Sequence, residues 1–224
     1  MRRFALDEIA WLKLAQPVKL LERALEDEDP AVRETAAGEL GVIRTPDAFA
    51  VIEKLLDHED AAIRAAAIRG VHLGGGPQVE RLLEKAMNDE NERVRRAALL
   101  SLHGVRRAKA KVLLKKALDD PGTFVRSTAI HRLGRTLSGP EIMPLLRKAL
   151  QDGEAFIRGD AIRTLARFGG PEIRDMFLSH LKTEKDPFTR QRLVRSLNEY
   201  FSTDPKVKAA LEKLDGGEAP EDIF

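Results

Sequence analysis

Asp29-Pro30-Ala31-Val32-Arg33-Glu34-Thr35-Ala36-Ala37-Gly38-Glu39-Leu40-Gly41 decides the fold, because its pattern returns along the whole chain. A branched residue followed by arginine recurs as Val32-Arg33, Ile63-Arg64, Val94-Arg95, Val125-Arg126 and Ile157-Arg158, with Thr189-Arg190 as a degenerate sixth copy. The spacings are 31, 31, 31, 32 and 32 residues. Four residues after each branched position stands Ala36, Ala67, Ala98, Ala129, Ala161 or Leu193, and four further on Leu40, Val71, Leu102, Leu133, Leu165 or Leu197. Steps of four put all three on one helical stripe, which defines a helix B.

A second column, in phase with the first, marks the end of a preceding helix A: Ala24-Leu25, Leu55-Leu56, Ala86-Met87, Ala117-Leu118, Ala149-Leu150 and His180-Leu181. Helix A often opens with proline, at Pro46, Pro77, Pro140, Pro171 and Pro205. A first-turn proline loses nothing, since its missing N–H would go unpaired there. Asp29, Asp60, Asn91, Asp120 and Asp186 are expected to cap helix B, with Pro30, Pro121 and Pro187 in first turns. Glycines such as Gly38, Gly41, Gly104, Gly134, Gly169 and Gly170 cluster in or just after helix B, and most of them are expected to punctuate the turns from B to the next A. Six two-helix units follow, at 17–45, 46–76, 77–107, 108–139, 140–170 and 171–203. Residues 1–16 read as an N-terminal capping helix with Phe4, Ile9, Trp11, Leu12 and Leu14 inward, and 204–215 as a C-terminal capping helix with Val207, Leu211 and Leu214 inward. The acidic tail 216–224 reads as disordered; its Ile223-Phe224 is either a docking motif or, more simply, a frayed end.

Asp-Pro-x-Val-Arg, an Ala-rich helix and then Leu-Gly make the segment 29–41 similar to the HEAT-like repeat family, in the short bacterial form found in phycobilin lyases. The resemblance covers roughly residues 15–203. It implies an all-α, right-handed α-α superhelix with helix B on the concave side. It says little about function, because one fold serves many.

Composition narrows the rest. There are 38 Lys and Arg against 36 Asp and Glu, a net charge of +2, which is not the balance of a nucleic-acid-binding tail. Cysteine is absent, which removes disulfides, thiolate catalysis and Cys-based zinc sites and suits a cytoplasmic protein. No apolar run approaches the roughly 18 residues of a membrane span, and the first residues carry acids where a signal peptide needs an apolar stretch. The five histidines, His58, His72, His103, His131 and His180, are read as structural or exposed; no metal or cofactor is expected. Deoxyhypusine hydroxylases, which resemble this repeat, hold iron through His-Glu pairs at the starts of B helices. Those positions here are Glu34-Thr35, Ala65-Ala66, Arg96-Ala97, Ser127-Thr128 and Gly159-Asp160, so that activity is not expected. Asp160 beside Arg163 and Arg167 faintly resembles the acid of HEAT-like DNA glycosylases, yet is better read as an ion-pair partner.

The Arg column (33, 64, 95, 126, 158, 190) is read as a bridge between neighbouring repeats through acids in the turns. The candidate binding surface is the face of helix B at positions −1, +3, +6 and +10 from the branched residue. In the first three repeats that face is small and mostly apolar. In the last three it presents Phe124, Phe156 and Phe188 at one position, followed by His131, Arg135, Arg163, Arg167, Arg192 and Arg195. Phe rings either pack inward or form an exposed row, and the arginines either are merely solvated or bind. The leading expectation is a monomeric, non-catalytic scaffold whose concave face takes a protein partner that is acidic or carries apolar anchors. One alternative is nucleic-acid binding, with Phe stacking on bases and Arg tracking phosphates. The other, from resemblance alone, is a phycobilin lyase-like chaperone or lyase subunit.

Overall fold

A first-turn proline or a capping side chain opens many of the helices, such as those at Pro30, Pro46, Ala61, Glu92 and Pro187. The structure is a computed structural model that describes residues 16–71 and 75–215. The helix expected within 4–14, His72, Leu73, Gly74 and the tail 216–224 lie outside the described residues. Among those described the elements are all helical: α1 (Pro17–Ala24), α2 (Pro30–Ile43), α3 (Pro46–Leu55), α4 (Ala61–Gly70), α5 (Pro77–Ala86), α6 (Glu92–Leu100), α7 (Arg107–Ala117), α8 (Thr123–Thr136), α9 (Gly139–Ala149), α10 (Ala155–Ala166), α11 (Pro171–Thr183), α12 (Pro187–Phe201) and α13 (Pro205–Asp215). Odd helices are the A type and even helices the B type, so the expected alternation holds. Asp29, Asp60, Asn91 and Asp186 accept bonds from first-turn N–H groups as N-caps. Asp120 does not cap a helix: α8 opens only at Thr123, leaving Pro121 ahead of it. Its carboxylate is occupied instead by Arg95 and the Gly122 N–H.

The helices form two compact units, 1–132 and 133–224. Within the first, α2 packs on α4 and α4 on α6; within the second, α10 packs on α12. The stripe of helix B is buried at every repeat, from Val32, Ala36 and Leu40 to Thr189, Leu193 and Leu197. The A-end column is buried too, except for half-buried Ala24, Leu25 and His180. In the last helix Val207 is buried, while Leu211 and Leu214 are half-buried. Phe177 and Phe201 meet edge to face, 6.3 Å between ring centroids, and close the core between α11 and α12.

Several glycines lie inside helices rather than in turns. Gly38 and Gly41 of α2 face Gly70 of α4, and a Cβ on Gly41 or Gly70 would fall on the opposite backbone. Gly134 in α8 likewise leaves room for the methyl of Thr164. Relative to the branched residue, position +9 of one B helix meets +7 of the next. His103 occupies the same +9 position and accordingly lies 3.2 Å from Arg132, the next repeat's +7 residue. Gly76, Gly104, Gly169 and Gly170 stand in turns with positive φ.

Three members of the arginine column bridge repeats, at Arg64, Arg95 and Arg158, while Arg33, Arg126 and Arg190 donate to carbonyls in or just before their own A–B turns. The Arg64 fork meets Asp89 at 2.8 and 2.9 Å, Arg95 meets Asp120 at 2.8 and 2.7 Å, and Arg158 meets Glu184 at 2.7 and 2.6 Å. The third nitrogen of each arginine donates to two carbonyls of its own A–B turn. Each acid also accepts the N–H two residues on, at Asn91, Gly122 and Asp186. One guanidinium thus ties two turns together, and every lone pair it meets is charge-assisted. In the second repeat His58 stands where the acid would be, its Nδ1 accepting from Asp60 N–H.

Burial alone would raise the Glu184 carboxyl, but the Arg158 fork, the Asp186 N–H and the Arg158 charge outweigh it and hold the pKa at about 2. Burial pushes neighbouring His180 below its usual value, against the pull of Glu184. Both shifts are depressions, so both contributions to stability are present above the unfolded-state pKa and lost on acidification. Stability is therefore expected to decline as pH falls below about 6.5 through His180, and more steeply from about 4.5 towards 2 through Glu184. Glu184→Gln should lower stability at pH 7 and flatten the lower limb, as read by urea midpoints across pH. An unchanged slope below pH 4.5 would remove Glu184 from that role.

Candidate binding groove

A concavity with candidate side chains in its wall lies along α12 and the C-terminal half of α10. It has a volume of about 800 Å³, and Phe188, Arg163, Arg192, Arg195, Glu199 and Tyr200 contribute to its walls. These positions follow from helix periodicity: Phe188, Arg192, Arg195 and Glu199 recur at steps of four, three and four along α12. Phe188 is 79% exposed, more than any other large apolar side chain among the described residues, so the core does not use the ring.

Gly159 of α10 shapes one wall. Its missing side chain leaves a slot for Arg192, whose Cδ would lie 3.3 Å from a Cβ there, and Arg192 Nη1 donates to the Gly159 carbonyl at 3.4 Å. Asp160 is buried, with an oxygen 3.1 Å from Arg163 Nη2 and 3.9 Å from Arg192 Nη1. It holds two guanidinium groups in place while their outer faces stay solvated. Asp160 is thus the ion-pair partner expected of it.

Of the residues proposed from sequence, Phe188, Arg163, Arg192 and Arg195 come together here. Phe156 is exposed on α10, and Arg167 and Arg135 are exposed near the ends of α10 and α8, but none of these lines the groove. Phe124 and His131 belong to the first unit; Phe124 is exposed with Arg96 5.9 Å above its ring, and His131 is half-buried. All three Phe rings point outward rather than into the core.

The face assigned to binding needs one correction. Position +3 is buried at Ala66, Ala97, Thr128 and Asp160, because adjacent B helices close over it. Sequence reasoning also missed Tyr200, Gln191, Val194 and Asn198, which line the groove. Their signal lies in position +5. Ala37, Ile68, Leu99, Ile130 and Ile162 are fully buried there, whereas Val194 of α12 is half-buried. The last B helix keeps open a flank that the others bury.

Among the described residues no cluster of His, Asp or Glu could hold a metal ion, and no helix is long and apolar enough to cross a membrane. The sequence model for HEAT repeats matches the chain five times, over residues 1–72, 50–134, 79–162, 113–198 and 143–220. No curated protein matches. Among solved structures, YibA of Escherichia coli is 19% identical with a TM-score of 0.63, over 95% of this chain and 78% of its own. An engineered protein is also 19% identical, with a TM-score of 0.48 over 83% of this chain and 96% of its own. The CpcE–CpcF phycocyanin lyase complex of Nostoc sp. PCC7120 gives 19% identity and a TM-score of 0.44, over 95% and 88%.

Proposed function

The chain belongs to the HEAT-repeat family, and we propose that it is a non-catalytic, monomeric, cytoplasmic scaffold that takes an acidic, aromatic-anchored segment of a partner protein along α12. The observation that carries this reading is the meeting of exposed Phe188 and Tyr200 with Arg163, Arg192 and Arg195 around one open groove. Three arginines against Glu199 and the buried Asp160 leave the groove net positive, which favours an acidic ligand, and the rings offer an apolar anchor site at its edge. Asp160 and Gly159 hold two of the arginines beforehand, which lowers the ordering cost of binding.

A fluorescein-labelled peptide rich in Glu and Asp and carrying one phenylalanine is expected to bind at low salt. Arg163→Glu combined with Arg195→Glu should weaken it at least about tenfold with helicity unchanged, and Phe188→Ala by a comparable factor. Equal binding by the double variant would reject the groove. A single-stranded oligonucleotide that binds more tightly than the peptide, and loses affinity in the same variants, would replace the protein partner by nucleic acid.

A further inference from the structure

The groove continues onto the flank of α12 that the other B helices bury, where Gln191, Val194 and Asn198 remain accessible. Resting on the groove reading above, we propose that its resident occupant is the acidic segment 216–224 of this same chain, which a partner must displace.

Three observations carry this. The first is position. Arg174 and Asp175 near the start of α11 pair with Asp204 and Lys206 at the start of α13. α13 packs against both α11 and α12, so the residues that follow it start next to the helix that carries the groove. The second is length. Nine residues reach about 30 Å when extended, while the fifteen-residue α12 is about 22 Å long. The third is chemistry. The segment Gly-Gly-Glu-Ala-Pro-Glu-Asp-Ile-Phe carries Glu218, Glu221 and Asp222 with no cation, then Ile223 and Phe224. That is the acidic, aromatic-anchored ligand that Arg163, Arg192 and Arg195 beside Phe188 and Val194 would select. Attachment through Gly216-Gly217 keeps its local concentration high without further contacts.

The test compares the full chain with the variant Glu218→Lys, Glu221→Lys, Asp222→Lys, which alters nothing in the described helices. Amide shifts across Phe188–Tyr200 are expected to differ between the two at all protein concentrations, and to converge in high salt. The variant should bind the labelled acidic peptide about tenfold more tightly than the wild type, because no tethered competitor remains. Identical shifts with equal, measurable peptide affinity would overturn the tail as occupant while leaving the groove reading intact. Absence of peptide binding to either protein would remove both. Differences that emerge only as concentration rises, with a doubled mass, would overturn the intramolecular contact in favour of a second copy.

Discussion

Replacing Gly70 with alanine is expected to lower stability by about 3 kcal/mol, the upper end of what an overpacked contact costs, and the Tm by roughly 6–12 °C. The new Cβ would land on the Gly38 carbonyl, which is backbone rather than a side chain that can swing away. Relief requires α2 and α4 to separate, and that separation loosens the contacts of Ala36, Ala66 and Ala67, whose small size exists to let these helices approach. Gly153→Ala supplies the control: nothing lies within 4 Å of a Cβ there, so its effect should stay within about 0.5 kcal/mol. Thermal melts of both variants decide the matter. A Gly70→Ala protein as stable as wild type would mean that α2 and α4 are not in backbone contact.

Asp120→Ala should cost a similar amount, roughly 3 kcal/mol, though by a different route. The Asp120 and Arg95 side chains are only 7% and 11% exposed. Removing the carboxylate strands a buried guanidinium that keeps only the Asp89 and Glu90 carbonyls, and leaves the Gly122 N–H without its acceptor. The exposed pair Arg147–Glu172, with side chains 59% and 66% accessible, provides the contrast. Its disruption by Glu172→Ala should change stability by less than about 1 kcal/mol. A double-mutant cycle on Arg95 and Asp120 should return a coupling of about 2 kcal/mol, measured by urea denaturation. Additive effects of the two single variants would show that the bridge contributes nothing of its own.

The repeat and its packing stripe were legible in the sequence because a fixed period, sampled six times, averages out local ambiguity. The arginine bridges were legible for the same reason: each Arg follows a buried branched residue, and an acid recurs five residues before that branched residue at Asp27, Asp89, Asp120, Asp152 and Glu184. What stayed hidden depends on neighbours rather than on one helix. A helical wheel places Ala66, Ala97 and Asp160 on the side away from helix A, yet says nothing about how closely the next B helix approaches. The same limit hid what Gly38, Gly41 and Gly134 do inside their helices, where the lack of a side chain serves helix–helix contact. Val194 and Tyr200 escaped notice because exposure depends on what packs beside the helix, which a column of equivalent positions conceals. The aromatic column itself carried useful information, since Phe124, Phe156 and Phe188 all face solvent. Phe188 stands at an arginine-lined groove.

Titration of isotope-labelled protein with the acidic, phenylalanine-bearing peptide, followed by amide shifts, tests the binding proposal most directly. Saturable changes centred on Phe188, Arg192, Arg195 and Tyr200, absent in the Arg163→Glu, Arg195→Glu protein, are the expected result. Changes confined to the A helices, or none at peptide concentrations well above protein, would contradict it.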